Sequence, residues 1–322
     1  MTSTVRPLKI ITVSAARLGD TLFCTPAYRW IKDILQAEQL DVISASALST
    51  DTLVCHPSID HIYTQPDANT LQAMHGQYDL AIHLHHSDAA LDYYQQLDVP
   101  VLDLTRNYTK QRTHYAEHLL RQLARVFGYD WNAVDNHYVI VPQDKHVEEA
   151  RALLAHIPAG RTPLIGLHLG CHHVAKRGWR FWEKTQHKRM WPVENFIALG
   201  QLIAQRYPDH HFILTGSDTE RFLGEQFATA CPNTLNIMGN TSVGGLYALL
   251  SKINTYICSD TGALHVACAT QTPLVALNLD EYVASNTAYP PAAHRHVICR
   301  KKITDIQPKD VLSDLETLLP HF

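Results

Sequence analysis

The segment SDTGALH, at residues 259–265, has the residue types and spacing of a loop that binds an anion. It lies between the apolar runs INTYIC and VACA, where a strand is predicted to give way to a helix. A helix N-terminus presents free N–H groups and a partial positive charge, which suits a phosphate. Thr261 and Gly262 allow close backbone approach, and His265 can donate a hydrogen bond from one turn further on. Taken one at a time, Asp260 would be an ordinary helix cap, Thr261 a turn residue and His265 a partly buried helix residue. The occurrence of all of them with Gly262 on one loop after a strand favours a binding site.

A second candidate group is the carboxylate of Asp20, in the segment AARLGDTLFCTP after the first predicted strand. Gly19 predicts a turn, and Asp20 is then expected to open a helix, where aspartate is a favoured N-cap. The same carboxylate could remove a proton from an acceptor hydroxyl as a general base. Arg17 could hold an anionic acceptor or steady Asp20, or it could be a solvated surface arginine. The residue types leave these alternatives open.

A basic, tryptophan-rich stretch at 172–190 follows the predicted strand LIGLHLG. It carries one acid, Glu183, against six basic residues: Lys176, Arg177, Arg180, Lys184, Lys188 and Arg189. Such a stretch can neutralise a pyrophosphate without a metal, and its aromatic faces can cover a sugar or a base. The plainer alternative is a solvated loop whose tryptophans pack in the core. Nucleic acid is disfavoured as a partner because the cluster is short and the net charge is −4.

Glu220, in TGSDTERF after the strand HHFIL, could bind a pair of ribose hydroxyls, as an acid at a strand end often does. Alternatively it is an exposed acid in the first turn of a helix. The histidine-rich segments IHLHHSD and CHH suggest a metal only weakly, since 21 histidines produce clusters by chance, and we expect no metal site. The absence of a G-x-G-x-x-G motif disfavours a dinucleotide oxidoreductase.

The elements that must position these residues alternate between strands and helices. Apolar runs of strand length alternate with helical periodicities over residues 8–129, and the alternation restarts over 164–279. This pattern predicts α/β architecture with two Rossmann-like parallel sheets, whose ligands bind at the carboxyl ends of the strands. We predict a first domain over 1–155, a second over 156–302, and an amphipathic helix within 303–322 that packs back on the body.

Composition restricts the class of protein. The 322 residues are 46% hydrophobic and 18% charged, which is enough to bury sizeable cores. Seven cysteines without a C-x-x-C spacing favour a reducing compartment over a disulfide framework. The N-terminal apolar run has only the length of a strand, and no apolar stretch has the length of a membrane span. We therefore expect a cytoplasmic protein, with possible peripheral contact at the membrane surface.

Three segments, in order, resemble glycosyltransferase family 9, the ADP-heptose:lipopolysaccharide heptosyltransferases: ARLGDTLFCTPAYRWIK, the K-R-M-W-P segment and SDTGALHVACATQTPLVAL. The resemblance covers about residues 8–280 and is thin over 50–140. It implies a GT-B fold, with an acceptor-binding first domain and a donor-binding second domain facing a central cleft. It also implies metal-independent, inverting transfer of a heptose or related sugar from an ADP-sugar to a hydroxyl of a lipopolysaccharide core or related glycan, with no cofactor.

The resemblance also implies roles for single residues. Asp20 is the expected general base, the D-T-G-x-x-H loop (Asp260, Thr261, Gly262 and His265) grips the donor diphosphate, and Glu220 holds the donor ribose. These roles are consistent with an inverting reaction, because such a reaction needs a base on the acceptor side and charge stabilisation at the leaving group. Arg17 remains the candidate for acceptor binding.

One position departs from the family pattern. The family has a lysine two residues before W-P, where this chain has Arg189 with Lys188 beside it, and a second K-R-x-W begins at Lys176. The phosphate contact can fall to any of these three. Because arginine binds a diphosphate bidentately and lysine acts as a point charge, the departure leaves the donor open. The alternatives are a glycosyltransferase that uses another nucleotide-sugar and a non-catalytic protein that binds sugar nucleotides.

Overall fold

Two parallel sheets organise the chain, one in each of two units, Met1–Val141 and Pro142–Phe322. This confirms the predicted α/β class with two Rossmann-like sheets. The computed structural model describes residues 7–109, 113–131, 134–171, 187–279 and 287–319.

In the first unit, the described strands form a sheet in the order β3-β2-β1-β4-β5, and every neighbouring pair is parallel. The order reverses between β1 and β4, and ligands of such sheets bind beside the strand ends at this switch point. The elements are β1 (Lys9–Val13), α1 (Leu18–Asp33), β2 (Gln39–Ser44), α2 (Ala47–Leu53), β3 (His61–Thr64), α3 (Ala68–Met74), β4 (Leu80–His83), α4 (Asp88–Gln96), β5 (Val101–Asp103) and α5 (Tyr115–Phe127).

In the second unit, the described strands follow the order β11-β10-β9-β6-β7-β8, again all parallel. Numbered from the unit's own first strand, this is the Rossmann order 3-2-1-4-5-6, with its switch point between β6 and β9. The elements are α6 (Asp144–Leu154), β6 (Leu164–His168), α7 (Val193–Arg206), β7 (His211–Thr215), α8 (Arg221–Ala230), β8 (Thr234–Asn236), α9 (Val243–Leu250), β9 (Thr255–Ser259), α10 (Gly262–Ala269), β10 (Leu274–Asn278), β11 (Arg295–Cys299) and α11 (Pro308–Leu318).

The division between the units falls after Val141, earlier than the boundary after residue 155 that the sequence suggests. The reason is helix α6, which packs against α9. Glu149 of α6 accepts hydrogen bonds from the backbone nitrogen of Ser242, at 2.8 Å, and from its Oγ, at 2.6 Å, at the start of α9. Helix α11 packs against α7, so both helices belong to the second unit.

Burial on both faces explains why the strands read as continuous apolar runs. Ile10 of β1 belongs to the core beneath α1 and α5, whereas Ile11 belongs to a separate core that includes Leu71 and Tyr94. Both isoleucines have no solvent exposure. A strand covered by helices on both faces needs apolar side chains at successive positions, which is the signature of a parallel sheet.

Helix α1 continues through a proline because a neighbouring side chain replaces the missing donor. Pro26 has no N–H, so the carbonyl of Leu22 lacks its usual helical partner. The hydroxyl of Thr25 donates to that carbonyl at 2.7 Å. The helix thereby remains continuous from its first turn, which carries Asp20, to Asp33.

Candidate functional site

The predicted anion-binding loop lies at the carboxyl end of β9, beside the switch point of the second sheet. Thr261 is the N-cap of α10 and has extended backbone angles, but its side chain makes no capping hydrogen bond. Its hydroxyl is buried and has no hydrogen-bond partner among the described residues. The first amides of α10, beginning at Gly262, have no intrahelical acceptor. This arrangement suits an anion at the helix N-terminus.

The structure brings the basic stretch to this loop. Nη1 of Arg189 lies 3.3 Å from Oδ2 of Asp260, so the aspartate is an ion-pair partner rather than the cap of α10. The Asp260 side chain is 17% exposed and the Arg189 side chain 46%. A guanidinium has five N–H donors, so Arg189 retains donors for a ligand while it is held by Asp260. Lys188 is exposed beside it.

Buried neighbours fix the segment that presents Arg189. Met190 is 5% exposed and Trp191 is fully buried. The indole ring of Trp191 packs edge-on against Phe196, and its Nε1 donates to the carbonyl of Ile306 at 3.0 Å. Trp191 is therefore a core residue and does not cover a ligand. Lys176, with the other two tryptophans of the basic stretch, lies outside the described residues.

His265 and Glu220 are both more buried than the sequence suggests. His265, in the fourth position of α10, is 6% exposed, and its contact with a phosphate stays a prediction. Glu220 is 3% exposed, so the alternative of an exposed first-turn acid is wrong. Its Oε2 accepts from the nitrogen and the hydroxyl of Ser217, at 2.7 and 2.6 Å, while Oε1 is buried with no partner among the described residues.

A polar cluster lies near Glu220 and includes the last residues of β6 and β7, His168 and Thr215. A β-carbon at Gly170 would collide with the Glu220 carboxylate, so only glycine allows this approach. Burial lowers the pKa of His168, against the opposing effect of the Glu220 charge. His168 Nδ1 lies 3.3 Å from the hydroxyl of Thr215, which is 2.6 Å from the hydroxyl of Tyr256. Sequence reasoning missed these partners, although His168 and Thr215 each end a predicted strand.

In the first unit, Asp20 lies in the first turn of α1, three residues after the N-cap, Arg17. The expectation that Asp20 opens the helix is therefore wrong, because Arg17 takes the N-cap position. The Asp20 side chain is 33% exposed, and its Oδ2 lies 3.7 Å from Nε2 of His85. The Arg17 side chain is exposed, while its carbonyl accepts from the nitrogen and hydroxyl of Thr21.

The histidine-rich segments do not assemble a metal site in the described part of the chain, where no group of three or more potential ligands converges. His85 contacts Asp20 instead, and burial lowers the pKa of His83. His172 and His173 of the CHH segment lie outside the described residues. None of the helices within the described ranges has the length and apolar character needed to cross a bilayer.

Two Rossmann-like units, each with candidate residues beside its switch point, define the GT-B class of glycosyltransferase folds, and solved structures support this assignment. The chain resembles the E. coli ADP-heptose lps heptosyltransferase II with a TM-score of 0.76, 17% identity and coverage of 97% of this chain and 98% of that one. It resembles a glycosyl transferase family 9 protein from Veillonella parvula with a TM-score of 0.79, 17% identity and coverage of 97% of both chains.

The chain is similar to glycosyltransferase family 9 over the greater part of its second unit. Residues 181–317 match the model of this family, described as glycosyltransferase family 9 (heptosyltransferase). The lipooligosaccharide heptosyltransferase 2 of Haemophilus influenzae is 29% identical over 164 residues, which cover 48% of this chain. The chain spans less than half the length of the curated relatives it matches, since the matched segments cover 40–43% of them.

Proposed function

We propose that the chain is an inverting, metal-independent glycosyltransferase that moves a heptose from an ADP-sugar to a hydroxyl of a lipopolysaccharide core or related glycan. The observation that carries this proposal is the Arg189–Asp260 pair beside the N-terminus of α10. The pair joins the K-R-M-W-P segment, which holds Arg189, to the segment SDTGALH, which holds Asp260, in an arrangement that suits an anion. The names of the Haemophilus relative and the E. coli structure, both heptosyltransferases, favour heptose as the sugar.

On the donor side, the first amides of α10 and the guanidinium of Arg189 hold the diphosphate. Their positive charge stabilises the negative charge that develops on the leaving ADP, and this charge is larger in the transition state than in the bound donor. The Oε1 atom of Glu220, which has no hydrogen-bond partner within the described ranges, is a suitable acceptor for a ribose hydroxyl. Lys188 and His265 are further candidates for the diphosphate.

On the acceptor side, the Asp20 carboxylate takes the proton from the attacking hydroxyl. The hydroxyl oxygen forms a bond to the anomeric carbon while the bond from that carbon to the diphosphate oxygen breaks. Because attack and departure occur on opposite faces, the configuration at the anomeric carbon inverts. The proton ends on Asp20 and the electron pair on ADP.

The donor site is tested with a panel of ADP-, GDP- and UDP-sugars in thermal-shift measurements. A ligand at ~100 times its dissociation constant stabilises the folded state by about 2.7 kcal/mol. We expect a shift with ADP-heptose and a smaller shift with the other two nucleotides. The absence of a shift with every nucleotide-sugar would contradict the donor site.

The reaction is tested by ADP release with a lipopolysaccharide-core acceptor, with and without chelator. We expect release that chelator does not change. Asp20→Asn should reduce turnover by about 10²- to 10⁴-fold, the range of general-base contributions, and leave the donor shift intact. A donor shift without ADP release for any acceptor would identify a non-catalytic binder. Normal turnover by Asp20→Asn would place the base elsewhere.

A further inference from the structure

We propose that His85 is a positioning residue that orients the carboxylate of Asp20, an inference that rests on the proposed role of Asp20 as the base. The two residues follow β1 and β4, which are paired neighbours at the switch point of the first sheet. His85 Nε2 lies 3.7 Å from Asp20 Oδ2. The side chains are 24% and 33% exposed, so both reach the surface at the carboxyl edge of the sheet.

The backbone that presents His85 is tied to the helix turn that presents Asp20. The thiol of Cys24, one turn after Asp20 on α1, lies 3.5 Å from the Asp20 carbonyl and 3.6 Å from the Leu84 carbonyl, and can donate to either. Burial, together with the charge of Asp20, raises the pKa of this thiol, so it keeps its proton. The hydroxyl of Tyr115 on α5 donates to the same Leu84 carbonyl at 3.0 Å.

Hydrogen bonding also indicates which ring nitrogen of His85 carries the proton. Nδ1 is buried and has no hydrogen-bond partner within the described ranges. A buried N–H without an acceptor costs more free energy than a buried lone pair on a ring nitrogen. The neutral ring therefore carries its proton on Nε2, the nitrogen that faces Asp20. The Tyr115 ring lies nearly perpendicular to the His85 ring, with centroids 6.3 Å apart, and restricts its rotation.

The separation of 3.7 Å is longer than a hydrogen bond, but such contacts in enzymes without substrate are often long and shorten in the reactive complex. A bond from Nε2–H to Oδ2 would fix the orientation of the carboxylate that takes the proton from the acceptor hydroxyl. His85 would then act on the orientation of the base, without contact with the donor. Its loss should lower kcat and leave the donor KM unchanged.

The test compares His85→Gln, His85→Asn and His85→Ala in the full chain, by kcat and donor KM in the ADP-release assay. A glutamine amide nitrogen reaches the position of Nε2, whereas the asparagine nitrogen reaches only that of Nδ1. We expect about a 10- to 100-fold loss of kcat in the alanine and asparagine variants, as for a misplaced catalytic group, and substantial rescue by glutamine. The matched control is His86→Ala, an exposed histidine beside it, with kcat within about twofold of wild type.

The double variant Asp20→Asn/His85→Ala separates the possible failures. If His85 acts through Asp20, the double variant is no slower than Asp20→Asn alone. If the losses of kcat from the two substitutions multiply in the double variant, His85 has an independent role and the proposal is overturned. The proposal is also overturned if His85→Gln and His85→Asn lose kcat equally while their thermal stability is unaltered. If Asp20→Asn is inactive and His85→Ala is normal, the positioning role is wrong and the base assignment stands. If wild type transfers no sugar, the proposed function itself is wrong.

Discussion

At the scale of single residues, the proposed donor site depends most on Arg189. Its ion pair with Asp260 is about half exposed on the arginine side. Exposed ion pairs contribute about 0–1 kcal/mol to the free energy of unfolding, so the pair is not there mainly for stability. In the proposed donor site, Asp260 restricts the rotamers of the long Arg189 side chain, which would lower the entropic cost of binding an anion.

We predict that Arg189→Ala raises the donor KM by about 10- to 100-fold, the range for one or two hydrogen bonds to a charged group. The melting temperature without ligand should barely change. Arg189→Lys should fall between wild type and alanine, because lysine keeps the charge and loses the bidentate geometry. Steady-state kinetics with varied donor and a thermal melt measure both effects.

The matched control for this prediction is Arg206→Ala. Arg206 is also exposed and pairs with Glu316 at 3.0 Å in the same unit. It follows no strand of the sheet, so its removal should leave the donor KM unchanged. Equal effects of the two substitutions, or none at Arg189, would contradict the prediction.

Sequence reasoning identified Arg189, Asp260 and Asp20 because their residue types follow predicted strands within recognised segments. It placed His85 in a chance cluster, since histidine spacing along one strand end says nothing about what lies on the neighbouring strand. The contact with Asp20 depends on the pairing of β1 with β4, which is a property of the sheet order. Glu220 shows the same limit, because its burial depends on the approach of Gly170.

At the scale of elements, helix α10 is stabilised at the end remote from the predicted anion-binding loop. Arg295 of β11 is 8% exposed, and its guanidinium donates to the carbonyls of Cys268, at 2.7 Å, Thr270, at 3.2 Å, and Pro290. The first two lie at the C-terminus of α10, where the carbonyls lack helical partners and a positive charge is favourable. The buried arginine thereby holds the helix whose other end carries the predicted anion-binding loop.

We predict that Arg295→Met destabilises the second unit by about 1–3 kcal/mol, the cost of leaving buried carbonyls without a donor. Urea denaturation followed by tryptophan fluorescence measures this loss. Arg300→Met is the matched control, because Arg300 is an exposed arginine of the same region that pairs with Asp310. A midpoint for Arg295→Met equal to that of Arg300→Met would show that the buried guanidinium contributes nothing net.

Most strands and helices could be predicted because the parallel sheets bury their strands on both faces. Two strands, β3 (His61–Thr64) and β11, are not predicted by the sequence pattern, and both lie at sheet edges. The burial of β3 runs from exposed to half-buried and back, so its sequence HIYT has neither a continuous apolar run nor an alternation. An edge strand has only one neighbour to bury it, and its pattern is correspondingly weak.

At the scale of the whole molecule, both units bury histidines in neutral form. Burial is the main cause that lowers the pKa of seven of them: His56, His83, His118, His168, His210, His211 and His294. Each takes up a proton more readily in the unfolded chain than in the folded one. The histidine content therefore makes the folded state sensitive to mild acid in both units.

His56 provides the best-defined case. Its Nε2 donates to the carbonyl of Thr25 at 2.9 Å, and its Nδ1 accepts from the nitrogen of Ser58 at 3.2 Å. The neutral ring is thus fully satisfied, whereas a second proton on Nδ1 would face the N–H of Ser58. Burial lowers its pKa from 6.5 to about 4, and the charge of Arg29 contributes in the same direction.

We predict that stability is highest above pH 6.5 and falls as the pH drops toward 4. Between these values the unfolded chain binds a proton at His56 and the folded chain does not, so the free energy of unfolding decreases with decreasing pH. At pH 5 the loss of unfolding free energy from His56 alone is about 2 kcal/mol.

Urea denaturation at pH 7.5 and pH 5.0 measures this loss, in a range where carboxylates stay ionised. His56→Gln should reduce the difference between the two pH values, while His61→Gln, at an exposed position, should keep it. Equal differences in both variants, or a wild-type stability that is flat over this range, would contradict the neutral burial of His56.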